Sequence, residues 1–206
     1  MKAESTAFAI AGVAFGLIAG WIIGVQQAGR SPDRPPSPAA VSAPASSTTP
    51  SRAAVLDETQ VTALKSGADR DPKNVQPRVQ LGNLYFDAER YDDAIKWYAE
   101  ALKLSPDDVN VSTDLGVSYY YTNQSDRALE QFAYSLKRDP KHSKTLLNQG
   151  IVMAFGKQDL DGAAKAWQQV VQFAPDSPEA QAAKRALDSL RAAHPGLGGS
   201  DQKSGS

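Results

Sequence analysis

The chain has 206 residues, a formal net charge of −1 from 22 basic and 23 acidic residues, and no cysteine. The length allows one folded domain with accessory segments, and the balanced charge offers no basic stripe for nucleic-acid binding. The absence of cysteine excludes disulfides, thiol catalysis and cysteine-ligated zinc. The two histidines, His142 and His194, lie apart from any metal-ligand or catalytic spacing and are predicted to be solvated. We therefore expect no enzyme, no metal and no cofactor.

The first predicted element is a transmembrane helix over residues 7–25, which follows a short tail over residues 1–6. The whole segment carries no charged side chain. At about 1.5 Å per residue the helix would span roughly 28 Å, close to the ~30 Å hydrocarbon core of a bilayer. A cleaved signal peptide is the alternative, but its apolar region is usually about 7–15 residues long and ends in an Ala-x-Ala-like site. The sequence therefore favours an uncleaved membrane anchor.

Glycines recur at every fourth position of this segment. They are Gly12, Gly16, Gly20 and Gly24. This spacing places them in one ridge on one helix face, where small residues let two membrane helices approach closely. The alternative is that glycine is simply common in membrane helices. The ridge predicts a homo-oligomer formed through this face.

The predicted helix is followed by a linker over residues 26–52. Between Ser31 and Pro50, every residue except Asp33, Arg34 and Val41 is Pro, Ser, Ala or Thr. Such a composition cannot bury enough apolar surface to fold. The Gly- and Ser-rich tail over residues 195–206 is predicted to be disordered as well.

The orientation of the anchor depends on the charges that flank it. Lys2 on one side and Arg30 and Arg34 on the other nearly balance. We place the domain on the periplasmic face, because a very short tail before a long apolar run is typical of a signal anchor.

Residues 55–193 are predicted to form the folded domain, and they contain an internal repeat. The first copy carries Leu81-Gly82, Tyr85, Ala94, Tyr98, Ala101 and Pro106. The same positions recur one period later as Leu115-Gly116, Tyr119, Ala128, Phe132, Ser135 and Pro140. The third copy carries Gly150, Met153, Ala163, Trp167, Val170 and Pro175, with one extra residue between Met153 and Ala163. Each copy predicts two helices that cross at the glycine, with the alanine opposite it and the aromatic residues around the contact. The proline follows the second helix and ends it.

These spaced positions resemble the tetratricopeptide repeat (TPR), in three copies over about 75–108, 109–142 and 143–177. Two departures are visible: the aromatic residue often found at position 4 is replaced by Arg78, Ser112 and Leu146, and position 7 of the third copy is Gln149. The resemblance implies an all-α, right-handed superhelix without strands. Stacked repeats need caps, and we expect a helix near 55–68 and a capping helix over 178–193, giving eight soluble helices.

The resemblance also implies a concave groove lined by the first helix of each pair. Positions 2, 5, 9, 12 and 13 of the family typically point into it. Carried onto this chain, these positions give Gln76, Val79, Asn83, Phe86 and Asp87; Asn110, Thr113, Val117, Tyr120 and Tyr121; and Lys144, Leu147, Ile151, Ala154 and Phe155. The lysine of the family's carboxylate clamp is missing at position 5, so we expect an apolar and aromatic groove. The alternative is that Phe86, Tyr120 and Phe155 pack between repeats.

The sequence thus predicts a membrane-tethered TPR scaffold that binds a peptide or helical segment of a partner protein. A more specific alternative is a TPR protein of c-type cytochrome maturation, which would hold apocytochrome segments; that class of protein has a similar layout. Asp92-Asp93 and Asp107-Asp108 stand at helix starts and are predicted to be caps instead of metal ligands.

Overall fold

The computed structural model describes residues 55–195, and every regular element in that range is helical. The elements are α1 (Glu58–Arg70), α2 (Gln76–Asp87), α3 (Tyr91–Leu104), α4 (Val109–Tyr121), α5 (Ser125–Arg138), α6 (Ser143–Ile151, extended by a π turn over Val152–Gly156), α7 (Leu160–Phe173) and α8 (Pro178–Ala193). The all-α prediction is confirmed for this range. The predicted membrane helix with its glycine ridge and the linker lie outside the described residues, as does the tail beyond residue 195.

The helix ends follow from local sequence chemistry. A proline stands two residues beyond the ends of α1, α3, α5 and α7, at positions 72, 106, 140 and 175, where its missing N–H cannot continue a helix. Side-chain caps begin other helices: Asp108 accepts the Val111 N–H at 3.0 Å and Asp159 accepts the Gly162 N–H at 2.9 Å. The predicted cap at Asp108 is thus present, whereas Asp92 and Asp93 lie in the first turn of α3.

Three antiparallel hairpins form the centre of the domain: hairpin one is α2–α3, hairpin two is α4–α5 and hairpin three is α6–α7. Each helix packs on the next along the chain, and α6 also packs on α4 and α8. Helices α1 and α8 cover the two ends. Within residues 55–195, no helix is long and apolar enough to cross a membrane.

A glycine marks the crossing inside each hairpin. A Cβ atom built on Gly82 would lie 2.5 Å from Tyr98 Cδ1, one on Gly116 would lie 2.5 Å from Phe132 Cε1, and one on Gly150 would lie 2.6 Å from the Cδ1 of Trp167. The sequence predicts alanine opposite these glycines; the atoms nearest them belong to the aromatic residues instead. The glycine therefore accommodates a buried ring.

Hairpin three holds its extra residue in the π turn at the end of α6. The Lys157 N–H donates to the Val152 carbonyl at 3.1 Å, a bond from residue i+5 to residue i. π turns absorb a single inserted residue without breaking a helix. The insertion thus changes the last turn of α6 and leaves the crossing of Gly150 with Trp167 in register.

The missing aromatic residue at position 4 of the second copy has a polar replacement. Ser112 is fully buried, and its Oγ accepts hydrogen bonds from Ser135 Oγ and Gln131 Nε2, both at 2.7 Å. A buried hydroxyl without a partner is costly, and these bonds remove that cost. Hairpin two is therefore joined by a small polar contact at the place where an aromatic ring is common in the family.

Candidate partner-binding face

The predicted groove residues lie on α2, α4 and α6, and the structure separates them by exposure. The exposed residues are Gln76, Asn110 and Phe155. The partly buried residues are Val79, Asn83, Asp87, Tyr120, Tyr121 and Lys144. The buried residues are Phe86, Thr113, Val117, Leu147, Ile151 and Ala154. A partner can reach the first two groups, whereas the buried side chains fill space inside the domain. Whether the accessible residues bind a partner stays a prediction.

An aromatic cluster lies at the end of α2, the start of α3 and the end of α4. The rings of Tyr91 and Tyr121 stack with centroids 4.5 Å apart and an angle of 10° between their planes. Phe86 meets both rings edge-on, at 5.3 Å from Tyr91 and 5.8 Å from Tyr121. Tyr120 lies 6.0 Å from its neighbour Tyr121. Phe86 is thus a packing residue that supports the two tyrosines, in line with the alternative interpretation of its position.

The environment of this cluster disfavours ionisation of its hydroxyl groups. Burial, assisted by the neighbouring Tyr121, raises the pKa of Tyr120 to about 12. Burial also raises the pKa of Tyr121, and the charge of Glu89 adds to that effect. The pKa of Tyr91 is raised by burial first, then by Tyr121 and Glu89. The three hydroxyls therefore stay protonated above the pH at which a solvated tyrosine ionises.

A buried hydroxyl pair joins α4 to α6. The Oγ1 atoms of Thr113 and Thr145 lie 2.6 Å apart, and both threonines are fully buried. Thr113 also donates to the Val109 carbonyl at 2.7 Å, and Thr145 Oγ1 lies 2.7 Å from His142 Nδ1. The sequence predicts that Thr113 faces a partner; it instead connects two neighbouring repeats.

His142 is less exposed than the sequence indicates. It is the N-cap residue of α6 and is partly buried beside Thr145. Burial lowers the pKa of its imidazole, while Asp139 and Lys144 act in opposite directions. The structure differs from the prediction of a solvated turn residue, because the ring lies beside the buried Thr145 in the first turn of α6.

Lys144 is one of the predicted groove residues, and it already has a partner within the domain. Its Nζ lies 2.7 Å from Asp114 Oδ1, and both side chains are mostly buried. Asp114 is a contact residue that sequence reasoning missed. The sequence does contain an indication of this contact. Asp114 is position 6 of the second copy and Lys144 is position 2 of the third, so their opposite charges lie on neighbouring first helices. The ion pair fixes the register between α4 and α6.

Asn83, one of the predicted groove residues, makes a contact inside hairpin one. Its Oδ1 accepts a hydrogen bond from the Tyr98 hydroxyl at 2.8 Å. The side-chain amide is therefore engaged with the buried ring that crosses Gly82. Across residues 55–195, no group of three His, Asp or Glu side chains is placed to hold a metal ion. The face as a whole carries aromatic and polar contact groups.

Comparison with known proteins supports the repeat assignment. Residues 82–123 match a family model described as TPR repeat, and residues 113–178 match one described as tetratricopeptide repeat. The crystal structure of MamA has 18% sequence identity and a TM-score of 0.58, and the match covers 65% of this chain and 75% of that one. None of the curated proteins compared with the chain matches it.

Two further solved structures share the fold. The Yersinia enterocolitica type III secretion chaperone SycD, in complex with a peptide of the translocator YopD, is 19% identical, with a TM-score of 0.52 over 57% of this chain and 89% of that one. The Sgt2 TPR domain from Aspergillus fumigatus is 23% identical, with a TM-score of 0.52 over 58% of this chain and 78% of that one. The two family models together match residues 82–178, and the three hairpins in that range have the helical fold of the solved structures.

Proposed function

We propose that the repeat domain binds a segment of a partner protein along the accessible parts of α2, α4 and α6. The observation that carries the proposal is Phe155, a large apolar side chain that is 38% exposed in the π turn of α6. Aromatic side chains at interfaces contribute most of the binding energy when a partner covers them. We infer that Phe155 is an anchor and that Gln76 and Asn110 are polar edges of the same face.

The neighbourhood of Phe155 favours an anchor over an incidental exposed ring. Gly156, the next residue, is so close to α5 and Tyr120 that an added Cβ would lie 2.5 Å from Ser125 Oγ and 3.3 Å from Tyr120 Cε2. The turn that carries Phe155 is therefore held firmly, and little side-chain and loop freedom is lost on binding. SycD was solved with a peptide of another protein bound, which supports a protein segment as the class of ligand.

Site-specific photocrosslinking tests this proposal. A photoreactive phenylalanine analogue replaces Phe155, Asn110 or Gln76 in the full chain, and replaces Gln169 or Gln181 as controls on exposed positions of α7 and α8. We expect the three positions on the predicted face to crosslink the same protein, identified by mass spectrometry, and the controls to give no such product. Equal yields of that product at all five positions would refute a binding face on the first helices.

We also propose that the chain is a single-pass membrane protein with the repeat domain on the periplasmic side. The uncharged run over residues 7–25 supports the anchor, and the linker over 26–52 would hold the domain away from the bilayer. Because the chain has no cysteine, the variant Ser200→Cys carries a single thiol. An impermeant thiol reagent should label it in intact spheroplasts; labelling only after lysis would place the domain on the cytoplasmic side.

Two finer points of the proposal have their own tests. Replacing Gly16 and Gly20 with leucine should abolish self-association in the membrane if the glycine ridge forms the contact.

Co-purification of proteins with Cys-x-x-Cys-His motifs would identify the c-type cytochrome role in place of a general scaffold.

A further inference from the structure

A cleft of about 530 Å³ opens between hairpins one and two, at the edge where the first helix of each hairpin turns into the second. It is lined by the segments 89–93 and 121–124. The stacked rings of Tyr91 and Tyr121 form its aromatic wall. The cleft is separate from Phe155 and from the polar contacts between α4 and α6, so the proposed anchor does not account for it.

The charge of the lining is negative. Three carboxylates face one guanidinium, which gives a formal charge of −2. The guanidinium of Arg90 is held by Asp93 at 2.6 Å, and Lys96 Nζ lies 3.2 Å from the other oxygen of Asp93. The remaining negative charge comes from Glu89 and Asp92, both exposed. A positively charged group would be attracted to this cleft.

The chain contains an occupied counterpart of this arrangement between hairpins two and three. Asp126 is the repeat equivalent of Asp92 and stands at the same place in the first turn of its helix. Its Oδ1 receives the ammonium group of Lys157 at 2.6 Å. Lys157 is the residue that ends the first helix of hairpin three, and Thr122 is its equivalent at the end of α4. Because Thr122 is neutral, hairpin two supplies no cation to Asp92, whereas hairpin three supplies Lys157 to Asp126.

The two edges also differ in the space they enclose. Between hairpins two and three, Gly156 approaches Ser125 so closely that a Cβ would lie 2.5 Å from the serine Oγ. Between hairpins one and two, the same edge is the open cleft. Positive φ angles at Glu89, Asn123 and Gln158 show that the three turns share one backbone form. The difference therefore lies in the side chains and in the extra residue of hairpin three.

We propose that the cleft between hairpins one and two binds a positively charged side chain, lysine or arginine, of the partner segment. This side chain would sit beside Asp92 as Lys157 sits beside Asp126. Glu89 would supply a second carboxylate, and the tyrosine wall would attract the cation through its ring faces. The inference rests on the proposed function, because it assigns the chemistry of one contact made by the bound segment.

A pair of matched tripeptides tests the cleft directly in the full chain. The probes are acetyl-Gly-Arg-Gly-amide and the same peptide with citrulline, a neutral isostere of arginine. Two-dimensional ¹⁵N NMR should show shifts of the amides in 89–93 and 121–124 with the arginine peptide alone. Changing Glu89→Gln together with Asp92→Asn should weaken binding about fivefold, the scale expected for two exposed ion pairs.

Two further variants make the test decisive. Thr122→Lys supplies the cation that hairpin three already has, so it should remove the shifts caused by the arginine peptide. The pair Glu130→Gln with Asp161→Asn makes the same charge change on exposed positions outside the cleft and should leave binding unchanged. Equal shifts with citrulline, or undiminished binding by Thr122→Lys, would overturn the cleft assignment. Crosslinking at Phe155 is independent of these peptides, so failure of the cleft can be told apart from failure of the proposed function.

Discussion

The junction between hairpins one and two and the junction between hairpins two and three are built from different chemistry. The first is aromatic, with Tyr91 stacked on Tyr121 at 4.5 Å, and it leaves a cleft at its edge. The second is polar, with the buried pair of Thr113 and Thr145 and the ion pair of Asp114 and Lys144. Repeat units of this domain are therefore stacked by two different kinds of contact, and the junction with the aromatic contact has the open edge.

The extra residue of hairpin three contributes to that difference. It forms the π turn at the end of α6, which brings Gly156 against Ser125 and Lys157 against Asp126. Hairpins one and two have no such insertion, and their turns enclose the cleft. The added residue and the small side chains beside it accompany the closed edge, and Phe155 is exposed in the same π turn.

Removal of a stacked ring should have the largest effect among substitutions at the two junctions. Tyr121→Ala deletes the ring that contacts Tyr91 and Phe86. We expect a loss of about 2–4 kcal/mol in the free energy of unfolding, as for other large-to-small changes in packed clusters. Urea unfolding followed by circular dichroism measures it. Phe173→Ala, at a ring of α7 that is 38% exposed, serves as the control and should cost clearly less; equal losses would contradict an aromatic first junction.

Removal of the buried hydroxyl at the second junction should have a smaller effect. Thr145→Val keeps the shape but leaves Thr113 Oγ1 and His142 Nδ1 without this partner. The expected loss is about 1–2 kcal/mol, the cost of an interrupted buried hydrogen bond. Thr62→Val changes an exposed threonine of α1 and should shift the unfolding free energy by less than about 0.5 kcal/mol. A Thr145→Val variant as stable as the wild type would mean that the polar contact does not hold the hairpins together.

The free energy of unfolding should also depend on pH through His142, which lies at the second junction. Burial lowers the pKa of His142, so the unfolded chain takes up a proton at a higher pH than the folded domain does. The neutral His142 therefore contributes its full share of the unfolding free energy above the pKa of the unfolded chain, about 6.5. That contribution is lost as the pH falls from this value to the lower pKa of the folded domain. Unfolding free energies measured from pH 7.5 to 5 should show this slope. The slope should diminish in His142→Gln and persist in His194→Gln; the reverse result would exclude His142 as its source.

The exposed ion pair at the closed edge should contribute least. Lys157→Gln removes the contact with Asp126, whose side chain is 78% exposed. Exposed pairs contribute roughly 0.2–1 kcal/mol, and we expect the lower half of that range. Thermal unfolding at low and high salt separates the electrostatic part, because salt screens exposed charges. A loss above about 2 kcal/mol would show that Lys157 has a packing role that the ion pair does not explain.

The sequence predicted the hairpins well because their determinants are local and steric. Glycine at position 8, an aromatic residue at position 24 and proline after the second helix recur at a fixed spacing. Each has a consequence inside its own hairpin, as the close approach of Gly116 to Phe132 shows. The spacing predicts the all-α repeat fold and shows one extra residue in the third copy, but it does not predict that a π turn accommodates that residue.

Contacts between hairpins could not be predicted in the same way. Burial of Thr113, Val117 and Ile151 depends on how closely neighbouring first helices approach each other, which the position in the repeat does not fix. The hydrogen bond between Thr113 and Thr145 joins one copy to the next, and neither threonine signals the other in the sequence. Part of the predicted groove is consequently buried, while Gln76, Asn110 and Phe155 remain on the surface.

The central claim is that each hairpin depends on a glycine at the crossing of its helices, and comparison of two glycine substitutions tests it most directly. Gly116→Ala places a Cβ 2.5 Å from the fully buried ring of Phe132, whereas at Gly67 in α1 the Cβ meets Pro77 at an ordinary 3.6 Å. We predict that Gly116→Ala lowers the free energy of unfolding by about 1–3 kcal/mol through overpacking. Gly67→Ala should raise it by about 0.5–1 kcal/mol through better helix propensity. A Gly116→Ala domain as stable as the wild type would contradict the account.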